Sequence, residues 1–203
     1  MCKRRIGGSA KDFTAEQESL AADYLSEAQL VLGSDVFHES SLTFAVQRRR
    51  MNWDEVRRIL GAYVDQALVA QAISNHVRSL MAADLAAVNS SDEHSVKAWF
   101  TWKLDYSPPV VDLAEAGFPL IGGRIDMLDQ RPVAAIVYQH GNHLINLFVW
   151  PVASRKIDLD VQSDRGYRFC GWNKAGLNYF CISEGSAITL EEFEDEVRER
   201  TNL

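Results

Sequence analysis

The chain has 203 residues, 47% of them hydrophobic and 24% charged, with only 5 Pro and 12 Gly, which is the make-up of a globular chain with a core of its own. That balance excludes collagen-like, low-complexity and disulfide-scaffold classes, and a formal net charge of -7 argues against a general nucleic-acid binder. The charge is unevenly held: residues 1–60 carry 9 Lys/Arg against 9 Asp/Glu, and residues 61–203 carry 12 against 19, which is the whole -7.

Met1-Cys2-Lys3-Arg4-Arg5 carries the charge of a secretory leader, but residues 6–12 supply no apolar stretch, so no signal peptide is expected. Thr14 and Gln17 form a capping-box pair; Leu20, Tyr24, Leu25, Ala28 and Leu32 then recur at helical spacing until Gly33. An amphipathic helix is therefore expected over 14–32, while residues 34–47 fit either a short strand or a helical turn.

Asn52 and Glu55 open a second helix with no stop before about Leu85. Its stripe is Val56, Leu60, Tyr63, Ala67, Ala70, Val77 and Met81, flanked by Ile59, Val64, Leu68, Ile73 and Leu80. Some 34 helical residues extend roughly 50 Å, so part of this helix is expected to project or to pair with another. Arg57, Arg58, Asp65, Gln66 and Gln71 interrupt the apolar run, and membrane insertion is not expected.

Beyond Asn89-Ser90-Ser91-Asp92, Val96, Ala98, Phe100 and Trp102 alternate with Lys97, Trp99, Thr101 and Lys103, the pattern of a half-buried strand. Ser107-Pro108-Pro109 ends it, and residues 111–116 make one helical turn before Gly117. Strands follow over 120–128 and 133–138, joined at Asp129 to Pro132, and His140-Gly141-Asn142 turns the chain into another over 144–150. Residues 155–165 read as a charged loop. A last hairpin pairs 167–172 with 177–183 about Asn173 to Gly176, and Thr189 with Glu192 caps a closing acidic helix.

The sum is an α+β fold: a mainly antiparallel sheet of about six strands, N-terminal helices of which one is long, and a short C-terminal helix. Residues 1–51 form a helical region, 52–88 a long stalk or docking helix, and 89–203 an antiparallel α+β domain.

Chemistry-bearing motifs are sparse. There is no phosphate-binding glycine loop, no G-x-S-x-G and no H-E-x-x-H. With the turn placed at Asn173 to Gly176, Cys170 falls opposite Tyr179 and Cys181 diagonally across; the pair reads as two buried thiols, and a disulfide needs a shifted register. His140 and His143 flank a turn without a third ligand beside them, so no metal or cofactor is expected. Asp92, His94, Lys97 and Trp99 pack an acid, an imidazole, an amine and an aromatic into one junction, the one place where a small ligand or metal finds several groups together. The structural reading is favoured over a ligand site: Asp92 and Ser91 shape the turn, His94 hydrogen-bonds locally and Trp99 packs beneath the strand. Arg48-Arg49-Arg50 and Arg57-Arg58, beside Asp54 and Glu55, read as a solvated or partner-facing patch.

A longer pattern runs from His76. His76-Val77-Arg78-Ser79-Leu80, Ser90-Ser91-Asp92-x-His94-x-Val96-Lys97-x-Trp99-Phe100 and Lys103-Leu104-Asp105-Tyr106-Ser107-Pro108-Pro109-Val110-Val111-Asp112-Leu113 are followed by Gly117-Phe118-Pro119-Leu120-Ile121-Gly122-Gly123-Arg124. Arg131-Pro132-Val133-Ala134-Ala135 and His143-Leu144-Ile145-Asn146-Leu147-Phe148-Val149-Trp150-Pro151 continue it. Together these resemble the C-terminal domain of bacterial membrane-anchored anti-sigma factors, the transmembrane transcriptional regulators, over roughly residues 66–193. The resemblance implies a non-enzymatic regulator working in signal transduction, an inner-membrane setting with this domain periplasmic as sensor, and protein binding to a sigma factor or a second protomer. On that implication, helices 14–32 and 52–86 engage the partner, with Leu20, Tyr24, Leu60 and Tyr63 as contact residues. The family's H-x-x-x-C-x-x-C zinc module has no counterpart here, and the interrupted 56–74 helix stands where its membrane helix does. The rival expectation is a small-molecule or metal sensor using Asp92, His94, Lys97 and Trp99 without sigma binding; a hydrolase stands last.

Overall fold

A computed structural model describes residues 53–81, 86–153 and 156–201. The expected helix 14–32 with Leu20 and Tyr24, the segment 34–47 and Arg48 to Arg50 lie outside the described residues, as do the side chains of Arg57, Arg58, Leu60 and Tyr63. Two compact units divide the chain, Met1–Asp65 and Gln66–Leu203. The sheet and both of its cores belong to the second.

The elements are α1 (Trp53–Met81), β1 (Val88–Asn89), α2 (Glu93–Lys103), a 3-10 turn (Ala114–Ala116), β2 (Leu120–Leu128), β3 (Arg131–His140), β4 (His143–Pro151), β5 (Leu159–Asp164), β6 (Tyr167–Lys174), β7 (Leu177–Ser183) and α3 (Ala187–Arg200). The strands form one sheet of seven, in the order β1-β2-β3-β4-β7-β6-β5. Every neighbouring pair is antiparallel. The fold is therefore α+β with an antiparallel sheet, as expected, but it has seven strands rather than six. β1 and β5 are additional, β5 lying inside the segment read as a loop.

The expected strand at 96–103 is instead helix α2. Asp92 caps it, its carboxylate accepting from the backbone N–H of His94 and Ser95 and so satisfying free donors of the first turn. Val96 and Phe100 are buried while Ala98 and Trp102 are exposed. Apolar residues four apart satisfy both the helical and the alternating period, and the cap decides between them. Phe100 lies where a side chain on Gly123 would stand: a Cβ built there meets Phe100 Cζ at 2.6 Å, so glycine lets α2 rest directly on β2. The C-terminal helix is likewise capped by Ser186, not Thr189, through a 3.1 Å bond from the Thr189 N–H to the serine hydroxyl.

Among the described residues, three hairpins close on two-residue turns with both residues left-handed, among them Arg165 (φ 50°) and Gly166 (φ 88°) between β5 and β6. Asp129 (φ 50°) and Gln130 (φ 57°) link β2 to β3, and Ala175 (φ 50°) and Gly176 (φ 79°) link β6 to β7. The turn at Ala175 and Gly176 pairs Lys174 with Leu177, which sets Trp172 against Tyr179 and Cys170 directly opposite Cys181. The register expected from a longer turn is corrected accordingly. The two cysteines are joined as a disulfide rather than lying as separate thiols.

Both faces of the sheet are buried. One core joins Val96, Phe100, Leu113, Phe118, Leu190 and Phe193 to Ala134, Ile136, Leu147, Val149 and the cystine. The other joins Leu68, Val69, Ala72 and Ile73 of α1 to Val133, Ala135, Phe148, Trp150, Phe180 and Ile182. Alternate residues of β3 and β4 thus enter different cores, which explains apolar runs without a polar face. The buried side of α1 is set by Leu68, Val69, Ala72, Ile73, Asn75, His76 and Ser79; Ala70 and Val77 of the expected stripe are half-buried and Met81 is exposed.

Where β3 and β4 part, Tyr106 stands between them. Its hydroxyl accepts from the Ala134 N–H (3.0 Å) and donates to the Val149 carbonyl (2.8 Å), and those two residues are the last register partners of the strand pair. Burial pushes the phenol up to about 12.

Candidate functional site

The groups singled out from sequence do not converge. On a strand, Lys97 and Trp99 would share a face; on α2 they lie 200° apart, at about 100° per residue. Lys97 faces an open cleft with Glu93, Asp112, Glu196 and Arg200, whereas Trp99 packs edge-on against Phe100 at a 5.2 Å ring separation. His94 is 86% exposed, with Nδ1 3.5 Å from Asp92. Asp92 is occupied as the helix cap, and bonds from Ser95 pull its carboxyl below the usual range. His140 and His143 are register partners but engage different groups: the His140 ring bonds the Gly117 carbonyl (3.1 Å) and His143 Nδ1 lies 3.5 Å from Glu184. Among the described residues, no three of His, Cys, Asp and Glu are placed to hold a metal ion, and no helix is long and apolar enough to cross a membrane.

The densest buried polar network lies between α1 and the opposite face of the sheet. His76 and Asn146 are both fully buried. The Asn146 amide donates to His76 Nδ1 (2.8 Å) and to the Ser79 hydroxyl (3.2 Å). Nδ1 is therefore an acceptor, and the imidazole proton sits on Nε2, which donates to Glu184 at 2.9 Å. Ser79 in turn donates to the His76 carbonyl at 2.7 Å, closing a loop within the helix.

Glu184, just past β7, accepts from both histidines. Burial raises its carboxyl, but bonds from His76, its own backbone N–H and His143 outweigh that and hold it at about 2. On the other flank, Arg124 of β2 reaches the side-chain amide oxygen Oδ1 of Asn146 (3.5 Å) and pairs with Asp126 at 3.2 Å. Burial lowers the Arg124 pKa and Asp126 opposes the shift. Arg78 of α1 meets the same Asp126 at 3.1 Å. Two further α1 side chains serve the β2–β3 hairpin: Asn75 donates to the Met127 carbonyl, and Gln71 accepts from the Asp129 N–H, both at 2.8 Å. This arrangement fixes one helix register on one sheet. Within it the Ser79 hydroxyl is bonded both to the Asn146 amide and to a backbone carbonyl.

Sequence reasoning alone did not find this network. Glu184 and Asp126 belong to no motif, and Asn146 enters only as one position of the family-like segment 143–151. A usable signal existed in Asn146, the one polar residue of the run Leu144–Trp150, and in His76, which falls on the buried side of a long helix. The chain matches no family model and no curated protein.

Proposed function

We propose that this chain is a regulatory, non-enzymatic protein of the anti-sigma-factor type, acting on transcription through protein–protein contact, with residues 89–203 as its sensor-like domain. One observation carries the reading: residues that bear the sequence resemblance, though far apart in the chain, meet at the α1–sheet junction. His76, Arg78 and Ser79 come from one motif, Arg124 from a second, and His143 and Asn146 from a third, and all belong to the same network. A pattern that specifies how a helix is held on a sheet suits a protein whose helix is its output, as a signal-receiving domain requires. The partner is a sigma factor, or a second protomer.

The test is co-purification of the full chain against a panel of extracytoplasmic-function-type sigma factors. Stable recovery of one of them supports the reading, and recovery of none overturns it. Thermal shift with metals and small anions, on wild type and His94→Ala, addresses the rival sensor reading; a melting curve indifferent to all of them leaves the Asp92–Trp99 junction structural.

A further inference from the structure

We infer that the last two turns of α1, residues 75–81, are a latch that opens from the sheet without the rest of the domain unfolding. The inference rests on the regulatory reading for its purpose, but its evidence is the way the contact of α1 changes along its length. From Leu68 to Ile73 the buried residues are apolar: Leu68, Val69, Ala72 and Ile73. Beyond Ile73 the buried residues are Asn75, His76 and Ser79, all polar. The first stretch is held by surface removed from water, which nothing replaces on opening. The second is held by hydrogen bonds, which water replaces at small net cost.

The polar pins also arrive from separate places: Asn146 from β4, Glu184 from beyond β7, Asp126 and the Met127 carbonyl from β2. Each can let go while its own strand stays paired. One pin is reachable from solvent, because Glu184 is 30% exposed and shares its carboxylate with the half-exposed His143. The outer side of the same turns is unfinished as packing, with Leu80 38% and Met81 83% exposed. Opening therefore loses few apolar contacts, while the two cores beneath β3 and β4 keep theirs. Local opening of this kind is how a domain of moderate stability supplies a moving part.

Hydrogen exchange on the full chain, resolved by residue, tests the latch. In the wild type, amides of 76–81 are expected to exchange through an opening that leaves Val133–Tyr138 and Ile145–Trp150 protected. Glu184→Gln, which removes a charged acceptor at the solvent edge, is expected to speed exchange at 76–81 by about tenfold or more while leaving β3 and β4 unchanged. Asn146→Ser serves as the second variant, with strand protection as the internal control for folding. The latch is overturned if 76–81 exchange only together with β3 and β4, or if the variants accelerate helix and strands alike. The measurement needs no partner, so its failure and a failure to recover a sigma factor are separate results.

Discussion

Asn146→Ala probes the network at its centre. The substitution removes the donor to His76 Nδ1 and the oxygen 3.5 Å from Arg124, and leaves the Ser79 hydroxyl still bonded to the His76 carbonyl. The imidazole nitrogen is then a buried acceptor with no donor, which costs roughly 1–3 kcal/mol, and the small void adds to it. A loss of about 2–4 kcal/mol corresponds to a Tm lower by roughly 8–16 °C for a unit of this size. Thermal and urea unfolding followed by circular dichroism measure it. Adding His76→Leu removes the orphaned acceptor, so the double variant should recover at least about 1 kcal/mol relative to Asn146→Ala alone. A single variant costing under about 1 kcal/mol, or a double costing the sum of both singles, refutes the claim that these two side chains are bonded partners in a closed site.

Three further outcomes follow from the same geometry. Phe100→Ala should cost about 3–5 kcal/mol and Trp102→Ala no more than about 0.5 kcal/mol, because one ring fills the α2–β2 contact and the other is solvated; equal costs in urea unfolding would mean that residues 96–103 are not helical. Replacing both Cys170 and Cys181 by Ala should lower stability by about 2–4 kcal/mol, and reductant should lower the Tm of the wild type alone. An unchanged wild-type Tm under full reduction would contradict the cross-strand bond. Glu184 titrates lower in the folded state (about 2) than its ordinary 4.5, so its contribution is present above pH 4.5 and is lost as pH falls from there towards 2. Being partly exposed, the group should contribute about 1–3 kcal/mol, so the stability gap between wild type and Glu184→Gln should close over that window. A gap independent of pH removes the carboxylate from the network.

Much of the sheet was legible before any coordinate. The expected bounds of β2 and β7 match the structure, and those for β3, β4 and β6 fall inside the observed strands, because Gly, Asn and Asp mark the turns and the runs between them are apolar. The failures have physical causes. Val96 and Phe100 fit two periods, and the capping carboxylate of Asp92 settles the choice. β5 is an edge strand rich in charge, so its composition is that of a loop. The cystine was hidden by one turn: Ala175 takes a left-handed conformation that sequence does not announce for alanine, and its shorter loop moves every partner beyond it. The network at His76 was the least legible. Its members lie up to 108 positions apart, and a single sequence carries no record of which polar residue finds which.

That separation has a consequence for how the protein is made. A ribosome delivers α1 before any strand of the sheet, yet the carboxylate that His76 donates to is encoded 108 residues later. At translation speeds of about 5–20 residues per second, the helix waits roughly 5–20 s for that partner. For the first part of that interval, until β3 and β4 have been made, Leu68, Val69, Ala72 and Ile73 lack the sheet residues they cover, Val133, Ala135, Phe148 and Trp150. The polar partner Glu184 therefore arrives after the apolar ones, so the apolar part of α1 can dock before its polar end is pinned.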